Sequence, residues 1–411
     1  MHQCPMPEHT LRPPGAGCDA IPALLGHTIA TTGHRRSDEL TGHLRSFGAT
    51  VLPGAMVHTR PLVDDPDRLR AATAAVIAEP PHYLVATTGI GLRGWFNVAA
   101  SWGLRAELLA ALRHTRVLAR GPKVVGALSE AGLDTWHTEP SGRTTALVER
   151  LATEDLRGTH VALQLPGAGR PDVIARLAAA GVGRTTEVEV YEWTWPDDLV
   201  PPRRLLRAVV EGRVSAVTFT SGPAVRNFAA LAAEDGIADD VGRALRHDVL
   251  AVCIGAATAE ELDARLGAPS VTPAVPVLGE LAQLVATEVR RTRHHHVRTA
   301  KGDDVVVQGC VVDGGRKAAT MSDREAALLH RLLARPRSTI GRDELLRAVW
   351  RGEAVDPSVL ETTMARLRRR LAGTGITILT ITSRGYLLGG EVMPCPGPRD
   401  DDPMPGLIEV G

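Results

Sequence analysis

Short apolar runs and helical stripes take turns along most of the chain. His27-Thr-Ile-Ala-Thr-Thr32 is a β-rich run, and Leu40, Leu44 and Phe47 recur at helical spacing from Ser37 onward. Ala49 to Leu52 reads as a second strand, so the three pieces make a β-α-β unit. The same alternation continues to about Val289, which is the pattern of an α/β protein layered around parallel sheets.

Within that region the sequence echoes itself. Leu84-Val-Ala-Thr-Thr-Gly-Ile-Gly-Leu-Arg93 returns as Val217-Thr-Phe-Thr-Ser-Gly-Pro-Ala-Val-Arg226, with Thr88 and Ser221 separated by 133 residues. Leu118-Ala-Arg-Gly121-Pro-Lys-Val124 returns as Val252-Cys-Ile-Gly255-Ala-Ala-Thr258, with the glycines separated by 134. Two matching offsets predict two similar parallel-sheet lobes. Each echoed element is a strand that ends in small or hydroxyl residues and leads into a helix. Free N–H groups and the dipole at such a helix start attract carboxylates or phosphates. Any one of these turns can equally serve only to cap its helix. Four of them on two lobes point to a polyanionic ligand in the cleft between, with Thr87, Thr88, Lys123, Thr220, Ser221 and Thr258 as its candidate contacts.

Phe219-Thr-Ser221, Ile254-Gly255-Ala-Ala-Thr258 and Val188-Glu-Val-Tyr191 resemble the uroporphyrinogen-III synthase family, over roughly His27 to Val289. The resemblance implies that the chain starts one lobe, builds the whole of the other, and returns. That assigns 22–55 and 195–289 to lobe 1 and 56–194 to lobe 2. It also implies closure of the linear tetrapyrrole hydroxymethylbilane, with loss of water and inversion of the last ring, and it calls for no cofactor. Tyr191 then matches the tyrosine that assists departure of the hydroxyl, and Thr88, Ser221 and Thr258 match positions that hold carboxylates. One departure is visible: Gly121-Pro-Lys-Val124 has no hydroxyl where its echo has Thr258, although Lys123 adds a charge.

Charge changes the picture toward the carboxyl end. The chain has 47 basic and 47 acidic residues, yet 290–390 holds 19 basic against 10 acidic, a net +9. A basic block of that size is the footprint of a nucleic-acid-binding module. Val305-Val-Val-Gln and Gly309-Cys-Val-Val read as strands, Ser322 with Glu325 as a capping box, and Arg342 to Trp350 as a second helix. In a third helix, N-capped by Asp356 with Pro357 at its first position, Leu360, Met364, Leu367 and Leu371 share one face. Thr363, Arg366, Arg369 and Arg370 lie mostly opposite with Arg368 on the flank, and Arg384 sits at the tip of a following hairpin. Those six residues are the candidate contacts to double-stranded DNA, the helix entering the major groove. Met321-Ser-Asp-Arg-Glu325, Ala365-Arg-Leu-Arg-Arg-Arg-Leu371 and Arg384-Gly-Tyr386 resemble the OmpR/PhoB-type C-terminal winged helix-turn-helix domain. The region upstream of it does not resemble a phosphoacceptor receiver domain.

The remaining segments are read from composition. Residues 1–21 form a flexible N-terminus, 290–302 a basic linker in which His294, His295 and His296 are solvated, 303–390 the winged-helix domain, and 391–411 a disordered acidic tail. Arginine outnumbers lysine 44 to 3, a bias of GC-rich coding that carries no function. Five scattered cysteines without C-x-x-C spacing argue against a disulfide framework and a metal site and fit a reducing cytoplasm. No apolar run is long enough to span a membrane. The combination resembles actinobacterial fusion regulators, some linked to nitrate and nitrite assimilation. The leading reading is a transcription regulator whose synthase-like region senses a tetrapyrrole or other polyanion, or supports a homodimer on DNA, with cleft closure relayed through the linker. The alternative is an active uroporphyrinogen-III synthase carrying an accessory DNA-binding domain.

Overall fold

The computed structural model describes residues 21–61, 66–140, 142–165, 170–299, 302–314, 317–350, 355–389 and 391–393. Residues 1–20 and 394–411, covering nearly all of the expected flexible start and acidic tail, lie outside the described residues.

The chain opens with β1 (Thr28–Thr31), α1 (Ser37–Ser46) and β2 (Thr50–Pro53). β3 (His58–Pro61) then carries it to a second lobe. There it forms α2 (Pro66–Ala78), β4 (Tyr83–Ala86), α3 (Gly89–Ser101), α4 (Arg105–Leu112), β5 (Arg116–Ala119) and α5 (Pro122–Glu130). The lobe is completed by β6 (His137–Thr138), α6 (Thr144–Leu151), β7 (His160–Leu165), α7 (Pro171–Ala179) and β8 (Arg184–Glu189). β9 (Tyr191–Thr194) returns antiparallel to β3, pairing Tyr191 with Pro61 and Thr194 with His58. The first lobe is then finished by α8 (Val200–Val210), β10 (Ala216–Phe219), α9 (Gly222–Glu234), α10 (Ala238–His247), β11 (Leu250–Cys253), α11 (Ala256–Leu266) and α12 (Leu278–Arg293).

Both lobes are parallel sheets, ordered β11-β10-β1-β2 and β6-β5-β4-β7-β8. Period-two alternation sorts their side chains to opposite faces. Leu84 and Ala86 enter one core layer while Tyr83 and Val85 enter the other. Ile29 and Ala30 divide in the same way in the first lobe. Each sheet is therefore covered by helices on both sides, as a parallel sheet requires.

The carboxyl-terminal domain comprises β12 (His294–Arg298), β13 (Asp304–Gln308), β14 (Val311–Asp313), β15 (Ala318–Thr320), α13 (Asp323–Leu333), α14 (Arg342–Trp350), α15 (Ser358–Leu371), β16 (Thr377–Ile381), β17 (Gly385–Gly389) and β18 (Glu391–Met393). Its larger sheet is antiparallel in the order β15-β14-β13-β12-β18. The capping box at α13 is present, with the Ser322 N–H donating to Glu325 Oε2 at 2.8 Å. The fold class is thus α/β with two similar parallel-sheet lobes followed by a winged helix-turn-helix domain.

Two expectations are corrected. The segment 290–302 is not a linker with solvated histidines, because α12 runs to Arg293 and β12 begins at His294 with no residue between them. β12 pairs with β13 and β18, and His294 is buried. Val297 points into the winged-helix core while His294, three residues away and so on the opposite face of β12, reaches the Ala23 carbonyl, an arrangement that composition alone does not reveal. Likewise 391–393 belong to a strand rather than to the tail. A smaller shift places the start of α15 at Ser358, whose N–H is accepted by Asp356 Oδ1 at 2.8 Å.

Candidate ligand cleft and DNA-reading surface

The echoed turns fall at the carboxyl ends of β4, β5, β10 and β11, the edge where α/β sheets bind ligands. Thr88 caps α3 by accepting from the Gly91 N–H at 3.2 Å, and Ser221 caps α9 by accepting from the Ala224 N–H at 3.4 Å. Gly121 and Gly255 cap α5 and α11 without a side chain. Val124 and Thr258 occupy equivalent third positions of those helices, and both are buried. The missing hydroxyl is therefore replaced by a side chain that joins the apolar core of the second lobe.

Thr87 is fully engaged within its own lobe. Its hydroxyl donates to the Gln164 carbonyl at 2.7 Å, and its N–H donates to Gln164 Oε1 at 3.2 Å. The Thr88 N–H donates to the same Oε1 at 3.0 Å. Gln164 thus satisfies two of the amides that would otherwise face an anion. Thr220 presses its Oγ1 against Gly33, where a Cβ would stand 2.7 Å away.

Gly89 allows the starts of α3 and α5 to meet, since a Cβ there would lie 2.1 Å from the Lys123 carbonyl oxygen. Backbone cannot yield as a flexible side chain can. Gly89→Ala should therefore destabilise the second lobe by roughly 1–3 kcal/mol, the usual penalty of overpacking, measured by urea unfolding. An unchanged midpoint would contradict this contact.

Tyr191 lies at the crossover on β9, 5% exposed and edge-on to Trp193 at 5.8 Å. Burial raises the pKa of its phenol, against the opposing pull of a hydrogen bond with the Thr88 side chain and the charges of Arg120 and Arg35. The phenol therefore stays protonated and is a proton donor at neutral pH. Arg35 belongs to the turn after β1, on the other lobe, so Tyr191 feels cations from both sides of the cleft.

Lys123 feels them too. Its ammonium pKa is lowered by burial and then by Arg36 and Arg35, with Glu39 opposing. Arg36 is paired with Glu39, and Arg170 with Asp172 at 2.6 Å. Arg120 is different. Its side chain is only partly exposed, and burial, with a smaller push from Arg170, makes its charge unfavourable, which Tyr191 would relieve only on ionising. Among the described residues no carboxylate contributes to that balance. A guanidinium does not deprotonate in a protein, so the burden must be met by an anion or endured.

The sequence reading passed over Arg35, Arg120, Arg170 and Gln164. Their signal was position rather than motif, because three of the four stand at or just beyond the end of a parallel strand and Arg170 begins the helix that follows one. No cluster of His, Cys, Asp and Glu able to hold a metal occurs among the described residues.

On the winged-helix side, Leu360, Met364, Leu367 and Leu371 are buried, which turns the opposite face of α15 outward. Arg366, Arg369 and Arg384 are exposed. Arg384 sits in the turn between β16 and β17, next to Ser383 at φ 62°. Three candidates are engaged inside the domain. Arg370 pairs with Glu325 at 3.0 Å and donates to the Thr320 carbonyl at 3.1 Å. Arg368 donates to the Ile378 carbonyl at 3.0 Å and to Thr380 Oγ1 at 2.7 Å, across the Tyr386 ring. Thr363 returns its hydroxyl to the Val359 carbonyl at 2.7 Å.

Two similar parallel-sheet lobes joined to a winged-helix domain define a two-lobed α/β protein fused to a DNA-binding module. Residues 38–283 match the family described as uroporphyrinogen-III synthase HemD, and residues 316–388 match the family described as transcriptional regulatory protein, C terminal. The chain belongs to the uroporphyrinogen-III synthase HemD family and carries a transcription-regulator DNA-binding domain at its carboxyl end.

Uroporphyrinogen III synthase from Thermus thermophilus is 28% identical, with a TM-score of 0.52 over 63% of this chain and 97% of that one. An uncharacterised Bacillus subtilis protein, YjjA, is 28% identical over 63% of this chain and 96% of its own length. The DNA-binding domain of Klebsiella pneumoniae RstA, solved with its RstA box, is 26% identical over 21% of this chain and 90% of that one, with a TM-score of 0.18. No helix among the described residues is long and apolar enough to cross a membrane.

Proposed function

We propose that this protein is a DNA-binding transcription regulator whose interlobe cleft binds a multiply acidic small molecule of the tetrapyrrole class. The observation that carries the reading is Arg120, a half-buried guanidinium without a described carboxylate, near Tyr191 and within the field of Arg170. Lys123 and Arg35 face the same space from opposite lobes, so a polycarboxylate that bridges them draws the lobes together. A ligand acts on DNA binding only if it distinguishes open from closed lobes.

The route of that signal is not a flexible linker. Because α12 runs directly into β12, the docked winged helix follows the first lobe, and the second lobe moves against both through the β3–β9 ribbon. Arg366, Arg369 and Arg384 contact the duplex, and one reading helix per chain suits a pair of chains on tandem half-sites. Control of nitrogen assimilation is tested by mapping which promoters the protein occupies.

A second reading, retained synthase activity, is favoured by Tyr191: a buried, protonated phenol held against Thr88 is placed to assist loss of hydroxide from hydroxymethylbilane. Incubation with hydroxymethylbilane, with isomer III resolved from the spontaneous isomer I, decides between them. Isomer III above background establishes the enzyme. A footprint on DNA that changes when a polycarboxylated porphyrin is added establishes the sensor, and one that ignores it refutes the sensor.

A further inference from the structure

We propose that a cluster of four histidines latches the winged-helix domain to the first lobe and that mild acid releases the latch. His27, at the start of β1, and His294, at the start of β12, stack with ring centroids 5.5 Å apart and planes 4° from parallel. His295 meets His330 of α13 at 5.4 Å. The first pair spans the two units, and the second lies on the winged-helix side of the junction, beside Arg293 of α12.

The surrounding bonds show that this is an interface and not the inside of either unit. The Gln308 side chain donates to the Pro22 and Leu25 carbonyls at 3.1 and 3.0 Å, and the Cys310 N–H donates to the Gly26 carbonyl at 2.8 Å. Ile21 and Leu25 enter the core of the winged-helix domain. Arg331 of α13 pairs with Asp248, in the turn between α10 and β11, at 3.5 Å.

Every imidazole in the cluster is enclosed beside positive charge, which outweighs the carbonyl bonds that favour protonation of His294 and His330. His27 Nδ1 bonds Ser215 Oγ at 2.8 Å, and its Nε2 is buried without a partner. His294 Nε2 bonds the Ala23 carbonyl at 3.0 Å, and His330 Nε2 bonds the Gly309 carbonyl at 2.8 Å. The charged groups around them are Arg290 and Arg293 from α12, His296 from β12, Arg331 from α13, and Asp248. Asp248 is the one carboxylate in that set, and Arg331 pairs with it while Arg293 donates to its backbone carbonyl. Added protons would therefore meet like charge.

Burial, then the neighbouring positive groups, lowers the pKa of His294 to about 3 and of His295 to about 4, and those of His27 and His330 fall too. The sign follows from linkage. A histidine held below its ordinary value of about 6.5 supports docking above that pH and opposes it progressively as pH falls toward the depressed value. At pH 5.5 a ring such as His294, held at about 3 when docked, favours the open form by about tenfold once it regains its ordinary value on separation.

The test uses the full-length chain without ligand or DNA, so it stands apart from the cleft reading. X-ray scattering is recorded from pH 7.5 to 5.0, with far-ultraviolet circular dichroism and hydrogen exchange at the Cys310 amide corrected for intrinsic rate. The expected result is a larger radius of gyration and lost Cys310 protection below pH 6, with secondary structure intact. His295→Gln should make the opening shallower, by about tenfold in the equilibrium per pH unit. Should that variant fail to fold, the number of protons taken up by the wild-type chain on opening serves instead. A chain that stays docked at pH 5.0, unfolds as it opens, or takes up fewer than two protons overturns the proposal.

Discussion

Arg120→Leu is expected to make the protein more stable and worse at its task. Removing a half-buried guanidinium that no described carboxylate balances should raise stability by up to about 1 kcal/mol, because a partly desolvated charge disappears. The same change should weaken binding of a polycarboxylated porphyrin by about 1.5–3 kcal/mol, or roughly 10- to 100-fold, the range for a hydrogen bond to a charged group. Thermal unfolding and titration calorimetry measure the two effects separately. Opposite signs are the diagnostic result. If stability falls with affinity, Arg120 is a structural pillar, and if affinity does not change, the anion does not sit there.

The arginines of α15 should divide by where their guanidinium groups already bond. Arg366→Ala and Arg369→Ala remove exposed side chains, so folding should be unaffected while operator affinity drops by about 1–3 kcal/mol for a base contact. Arg370→Ala instead leaves Glu325, whose side chain is 3% exposed, without its cation. Glu325 keeps its bonds from Ser322, and Arg370 is itself partly exposed, so the loss should be roughly 1–3 kcal/mol of domain stability rather than a change in sequence preference. Mobility shifts at fixed salt, paired with denaturation of each variant, separate the groups. A destabilised Arg366→Ala beside an unaffected Arg370→Ala would reverse the assignment.

Much of the fold was readable because it is written in local pattern. The β-α-β period, the repeat at 133 and 134 residues, the Ser322–Glu325 box and the Leu360–Leu371 stripe each need only neighbours in sequence to be recognised. The candidate site was readable by residue type but not by occupation. Thr87 looks like an anion ligand until Gln164, a residue of a different strand, is seen to consume its hydroxyl and amide. Arg370 looks like its neighbour Arg369 until the helix phase brings it to Glu325 and the Thr320 carbonyl. Composition misread 290–302 for the same reason. A polar, basic run resembles a linker, but strand pairing depends on partners at 304–308 and 391–393 that composition does not encode.

By itself the sequence determined the class of each part: two echoing α/β lobes and a basic winged helix, because periodicity and local capping are properties of adjacent residues. The tertiary structure alone decided which polar groups are left over for chemistry. Whether a hydroxyl, amide or guanidinium is available depends on what distant segments have already bonded to it, and whether its charge is tolerated depends on the burial that packing imposes. That is why Arg120 and the histidine junction emerge only when strands from both lobes, and the domain beyond them, are brought into contact.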